Sequence, residues 1–90
     1  MSEHHQKVTI SNDNGLHARP AGKIVALAIQ FESDIKIHLD NKIADARSII
    51  DLMTLTASCG CEVEVSAIGI DAEQAVNAIV ELVEKRFEEQ

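Results

Sequence analysis

The stretch Asn14-Gly15-Leu16-His17-Ala18-Arg19-Pro20 holds the residues best suited to chemistry, an imidazole and a guanidinium two positions apart, behind a glycine and ahead of a proline. Gly15 permits a tight or left-handed loop, and Pro20 is tolerated in the first turn of a helix. The pattern therefore predicts a helix beginning between His17 and Pro20. The first N–H groups of such a helix have no partner within it and together carry about half a positive charge, so they can receive phosphate or carboxylate oxygens. Arg19 adds a permanent charge, and a neutral imidazole at His17 keeps a lone pair for nucleophilic attack. These residue types describe an anion site with a nucleophile inside it. On spacing alone, they also describe an ordinary helix start with a solvated arginine.

The flanking segments must position that site. Lys7-Val8-Thr9-Ile10-Ser11 alternates polar and apolar residues as a half-buried strand does, and Asn12-Asp13-Asn14-Gly15 breaks it. From Pro20 to about Gln30, Ile24, Leu27, Ala28 and Phe31 recur at helical spacing. Gly22 is a weak point in that helix, costing up to about 1 kcal/mol against alanine unless close packing or a partner's approach favours a missing side chain. Asp34-Ile35-Lys36-Ile37-His38-Leu39 alternates again, and Asp40-Asn41-Lys42 reads as a hairpin turn into a short strand near Ile43 to Asp45. His38 falls on the polar face as an exposed strand histidine. Ser48 to Leu55 reads as a short helix capped by Ser48, with Asp51 three residues later close to the capping-box pattern. Glu62-Val63-Glu64-Val65-Ser66-Ala67 is an alternating strand with inward valines. Asp71-Ala72-Glu73-Gln74 supplies another capping-box-like start, followed by Ala75, Val76, Ile79, Leu82, Val83 and Phe87 on one face of a long helix, with Lys85 and Arg86 in its last turn. The order strand, helix, strand, strand, helix, strand, helix fits an α+β domain with helices layered on an antiparallel sheet.

Composition excludes several classes. Ninety residues make one domain, residues 1–90, and with no Trp or Tyr and two Phe the core must be aliphatic. A formal charge of −7 and so few aromatic rings argue against nucleic acid and anionic membrane as partners. No apolar run approaches the roughly 18 residues of a membrane span, and Met1 to Lys7 is polar, so a cytoplasmic protein with a mobile, solvated N-terminus is expected. Cys59 and Cys61 are too close for a relaxed disulfide and too few for a tetrahedral metal site, and nothing fixes His4 and His5 near them. Free thiols in a turn are expected, with no metal and no cofactor.

Gly15-Leu16-His17-Ala18-Arg19-Pro20-Ala21 resembles the active-site signature of the HPr family, the histidine phosphocarriers of the bacterial phosphoenolpyruvate phosphotransferase system. Ala46-Arg47-Ser48-Ile49-Ile50-Asp51-Leu52-Met53 resembles the segment around the family's regulatory serine, and the likeness runs from about Val8 to the C-terminal helix. The resemblance implies an open-faced sandwich, order βαββαβα, with four antiparallel strands and three helices on one face. It implies that His17 accepts a phosphoryl group through Nδ1 from enzyme I, the phosphoenolpyruvate-protein phosphotransferase, or from its nitrogen-branch paralogue, and donates it to an enzyme IIA. The chain would then be a monomeric phosphoryl-transfer intermediate rather than a free-standing turnover enzyme. Arg19 would stabilise the transferred charge, and Pro20, Lys23, Ile49, Ile50 and Met53 would form the docking surface. Ser48 would be a target of an HPr kinase/phosphorylase, although Asp51 stands where sugar-transport relatives often carry a small or neutral residue. The His-Ala-Arg-Pro wording and Phe87-Glu88-Glu89-Gln90 resemble NPr, the nitrogen-related paralogue, whereas Arg47-Ser48-Ile49-Ile50 resembles the kinase-regulated sugar type. Two other readings of the same residues are a noncatalytic module that holds a small anion or an acidic segment, and a carrier-like regulator that docks a transcription factor or kinase.

Overall fold

The computed structural model describes residues 2–88. Its elements are β1 (Ser2–Thr9), α1 (Ala18–Ala28), β2 (Asp34–Leu39), β3 (Lys42–Asp45), α2 (Ile49–Thr54), β4 (Glu62–Gly69) and α3 (Ala72–Glu84), followed by a turn at Arg86–Glu88. The sheet order is β1-β4-β2-β3 with every neighbouring pair antiparallel, which is the expected α+β sandwich.

Period-two alternation decides which face is covered. Val63, Val65 and Ala67 of β4 and Ile35 and Ile37 of β2 are buried, while Glu62, Asp34 and Lys36 lie on the other face. The helices add Ala21, Ile24 and Ala28 from α1, Leu52 from α2, and Ala75, Val76, Ile79 and Val83 from α3 to one continuous aliphatic core. On the uncovered face His38 is half-buried rather than fully exposed, because its Nε2 lies 2.9 Å from the Ser66 hydroxyl of the neighbouring strand.

Three expectations are corrected. Ser2 to Gln6 is not a mobile tail, since β1 pairs with β4 along its whole length from Ser2↔Gly69 to Thr9↔Glu62. The polar side chains of Ser2, Glu3, His4 and His5 hid a strand whose backbone satisfies the outer edge of β4. Asp71 stands at the N-cap of α3 but makes no side-chain bond to its own helix. Its carboxylate instead accepts the Glu32 and Ser33 amides and the Ser33 hydroxyl, at 3.0, 2.9 and 2.5 Å, tying α3 to the loop before β2. These hydrogen bonds, the Ser33 hydroxyl first, hold the Asp71 carboxyl below the usual carboxylate range.

Phe87 does not ride on α3, and Lys85 and Arg86 lie beyond its last turn. The helix ends at Glu84, and Arg86, Phe87 and Glu88 take φ values of 55°, 55° and 61°. This left-handed turn folds the Phe87 ring back into the core, where it is fully buried. Burial of an aromatic ring and a Lys23 ammonium that donates to the Phe87 carbonyl oppose the strain of left-handed, non-glycine backbone. Glu89 and Gln90, part of the acidic ending noted above, lie outside the described residues.

Candidate functional site

The loop from β1 to α1 is shaped by a few hydrogen bonds. The Gly15 amide donates to the Asn12 carbonyl at 3.1 Å, and the buried Asn12 Nδ2 donates to the Gly15 carbonyl at 2.8 Å, closing the turn from both sides. Gly15 takes φ +64°, and a Cβ there would lie 2.3 Å from the Ala57 carbonyl oxygen and 2.8 Å from Ser58 Cα. The glycine is thus required by its dihedral and by the backbone pressed against it. Leu16 is buried and its amide donates to the Ala57 carbonyl at 2.9 Å, which anchors the residue just before His17.

His17 is the N-cap of α1, with extended backbone and no side-chain bond capping the helix. Its carbonyl accepts the Ala21 amide at 3.0 Å, the first bond of the helix. The Ala18 and Arg19 amides therefore sit in the first turn, where no intrahelical acceptor exists, and Pro20 has no amide to satisfy. The half-buried His17 shares an open cleft of about 430 Å³ with Asn12, Asp13, Asn14, Arg19, Lys23, Arg86 and Glu88. Three of the chain's eight basic residues line it, in a protein of net charge −7. The arrangement can present an imidazole to an incoming group and surround the resulting anion with cations and helix amides.

His17 and Arg19 thus stand together. Lys23 is half-buried and committed to the Phe87 carbonyl, so it braces the C-terminal turn beside the cleft. Pro20 is buried in the first turn of α1, so it offers no exposed contact surface of the kind expected of a docking residue. Ile49, Ile50 and Met53 are exposed by 42%, 77% and 42% and form an apolar patch on α2, while Leu52 between them is fully buried. Ser48 caps α2 by accepting the Asp51 amide at 3.1 Å. The reciprocal half of a capping box is absent among the described residues: Asp51 Oδ2 accepts the Asp45 amide at 3.2 Å, and the Ser48 amide goes to the Asp45 carbonyl. Arg47 donates through Nη2 to the carbonyls of Phe31 and, at longer range, Ser33 (2.6 and 3.4 Å), locking the loop after α1.

The cleft residues not singled out in the sequence are Asn12, Asp13, Arg86 and Glu88. The Asn-Asp-Asn-Gly turn was visible, but not that the Asn12 side chain would close it. Arg86 reaches the cleft through left-handed backbone without a glycine to announce it. Cys59 and Cys61 are free, and the described residues hold no cluster of three or more potential metal ligands.

Fold and site together define an open-faced α+β sandwich that presents a histidine and an arginine at a helix start in a cation-lined cleft. The family model described as PTS-HPr, "PTS HPr component phosphorylation site", matches residues 4–85. The phosphocarrier protein HPr of Treponema pallidum (strain Nichols) is 40% identical over 83 residues, covering 92% of this chain and 94% of that protein. The phosphocarrier protein NPr of Shewanella violacea is 38% identical over 89 residues, covering 99% and 98%. A crystal structure of HPr from Thermoanaerobacter tengcongensis superposes with a TM-score of 0.90 at 43% identity, covering 100% of this chain and 99% of that one. The chain belongs to the HPr family, the phosphocarriers of the phosphoenolpyruvate phosphotransferase system.

Proposed function

We propose that His17 is the phosphoryl acceptor, that enzyme I or its nitrogen-branch paralogue is the donor and that an enzyme IIA is the recipient. The observation that carries this reading is the place of His17, the N-cap of α1 at the rim of an open cleft shared with Arg19 and Arg86. The Nδ1 lone pair attacks the phosphorus of the donor's phosphohistidine in line, the donor's N–P bond breaks, and its imidazole leaves with the bonding pair. Arg19 and the Ala18 and Arg19 amides stabilise the equatorial oxygens, since phosphoryl transfer depends on positioning and electrostatics. The reaction then runs in the same sense toward enzyme IIA.

Docking falls to the apolar patch of Ile49, Ile50 and Met53 on α2, which offers a protein partner a hydrophobic face. Ser48, at the head of that helix, is a regulatory site for an HPr kinase/phosphorylase on this reading. A phosphate there adds about two negative charges beside the patch and hinders docking while suiting the helix terminus. The chain acts as a single, monomeric carrier domain in the cytoplasm; the described helices include none long and apolar enough to cross a membrane.

The test is incubation with phosphoenolpyruvate and purified enzyme I of either branch, followed by intact mass and acid treatment. One acid-labile phosphoryl group is expected on the wild type and none on His17→Ala. Full labelling of His17→Ala would refute the assignment. A wild type labelled by neither donor would favour a docking module that transfers nothing.

A further inference from the structure

Cys59, Gly60 and Cys61 lie on the turn that supports the histidine loop. The Cys61 amide donates to the Ser58 carbonyl at 3.0 Å, closing a four-residue turn, and Gly60 at its third position takes φ +96°. Consecutive Cα atoms are about 3.8 Å apart, so two Cα atoms flanking one residue in a closed turn fall at about 5–6 Å, a span that a disulfide can bridge, though across a single residue only as a small, strained ring. Apart from its neighbours Cys59 and Cys61, no residue comes within 4 Å of where a Gly60 side chain would begin, so the rest of the protein leaves the turn room to adjust. Both thiols are free, Cys59 exposed and Cys61 half-buried.

We propose that Cys59-Gly60-Cys61 is a redox modification site, a dithiol that exchanges with small-molecule disulfides and closes into a cyclic Cys59–Cys61 disulfide. Cys61 is the attacking thiol. The Ser58 hydroxyl lies 3.5 Å from its Sγ, and this contact, reinforced by the Ser58 backbone, holds the thiol below its ordinary range and favours the reactive thiolate. The Cys61 thiolate attacks one sulfur of a disulfide RS–SR, the S–S bond breaks, and RS⁻ leaves to be protonated. Cys59, deprotonated by solvent, then attacks the Cys61 sulfur of the mixed disulfide and expels the second RS⁻. The two cysteines are oxidised, and one small disulfide is reduced to two thiols. A ring spanning a single glycine is strained, which keeps it reducible by ordinary thiols.

The modification reaches the phosphoryl site through the backbone. The Gly60 amide donates to the Ile10 carbonyl, and the Ile10 amide donates to the Cys61 carbonyl, each at 2.8 Å. Ala57 and Ser58, at the head of the same turn, are the groups packed against Gly15, and Ala57 accepts the Leu16 amide. The turn therefore holds both ends of the loop that carries His17. Closing the ring moves Gly60 and Cys61 and slows phosphoryl acceptance severalfold; this consequence rests on the phosphocarrier reading, whereas the exchange chemistry does not.

The experiment incubates the reduced, folded protein with oxidised glutathione and reads intact mass before and after dithiothreitol. The wild type is expected to lose two hydrogen atoms without dimerising and to regain them on reduction. Cys59→Ser should accumulate one glutathione adduct on Cys61, and Cys61→Ser should react more slowly. An unchanged wild-type mass, a disulfide-linked dimer as the main product, or equal reactivity of the two single variants would overturn the site. Acceptance is then timed on oxidised and reduced wild type with phosphoenolpyruvate and enzyme I. Equal rates would overturn the coupling, while failure of the reduced protein to be labelled would count against the phosphocarrier reading alone.

Discussion

Substituting alanine at Gly15 should cost more than at any exposed loop glycine, and the reason is geometric. The position has φ +64°, where an L-residue pays about 1–2 kcal/mol. The new Cβ would also lie 2.3 Å from the Ala57 carbonyl oxygen and 2.8 Å from Ser58 Cα, both backbone atoms that cannot rotate away. Forcing them apart adds about 1–3 kcal/mol, as overpacking elsewhere does. Gly15→Ala should therefore lose at least about 2 kcal/mol, a fall in Tm of roughly 8–16 °C for a domain of this size. The displacement strains the Leu16–Ala57 hydrogen bond next to His17, so phosphoryl acceptance, timed well below Tm on folded protein, should slow as well. Gly22→Ala is the control. Apart from its chain neighbours and its own helix backbone nothing lies within 4 Å of its missing side chain, so it should gain up to about 1 kcal/mol and raise Tm by at most roughly 4–8 °C. Calorimetry or thermal circular dichroism decides. A Gly15→Ala Tm within about 4 °C of wild type, or a Gly22→Ala protein less stable than wild type, would refute the reasoning.

Arg19→Ala and Arg86→Gln should each slow transfer from enzyme I by roughly fivefold, the effect of about 1 kcal/mol from an exposed, screened cation, and should weaken its dependence on salt. Quenched-flow phosphorylation checks both; unchanged rates would remove that arginine from the charge-stabilising role. Ser48→Asp should weaken enzyme I binding with the fold intact, and equal affinity by calorimetry would dismiss electrostatic control of the α2 patch. Asp71→Asn should lower stability at neutral pH and converge with wild type in acid. The folded carboxyl titrates below its unfolded value, so its contribution is complete above the unfolded range near pH 4 and disappears as pH falls through the lowered folded value. A stability difference between the two proteins that persists undiminished in strong acid would contradict this.

How much was legible in the residues depended on which physical signal carried it. Alternation located β2 and β4, the Asp40-Asn41-Lys42 turn located β3, and the Gly-Leu-His-Ala-Arg-Pro order located the start of α1, because period, turn and dihedral constraints are local. The long β1 was hidden by Ser2, Glu3, His4 and His5, whose pairing is dictated by the unsatisfied edge of β4 some sixty residues away. Asp71 has the look of a cap, yet the amides it satisfies belong to Glu32 and Ser33, and only the folded chain brings them close. Arg86 follows the same logic: its place in the cleft depends on a left-handed turn stabilised by a buried Phe87 and by Lys23, neither of which marks the turn locally.

If His17 carries the phosphoryl group as proposed, that C-terminal turn bears on how the site could both take and give. A carrier fails if its charged form is too stable, since each 1.36 kcal/mol of bias shifts the transfer equilibrium about tenfold. On the phosphocarrier reading Arg19, Arg86 and Lys23 would favour a phosphorylated His17, while Asp13 and Glu88 line the same cleft and would oppose it; the Lys23 ammonium keeps its charge while donating to the Phe87 carbonyl. The cleft is open to water, which screens the remaining attraction. A partner that seats on Ile49, Ile50 and Met53 would exclude part of that water as it docks, strengthening the arginines' hold on the transferring group only while the complex lasts. The stabilisation is then greatest during transfer and weakest in the free carrier, the balance an intermediate between two proteins requires.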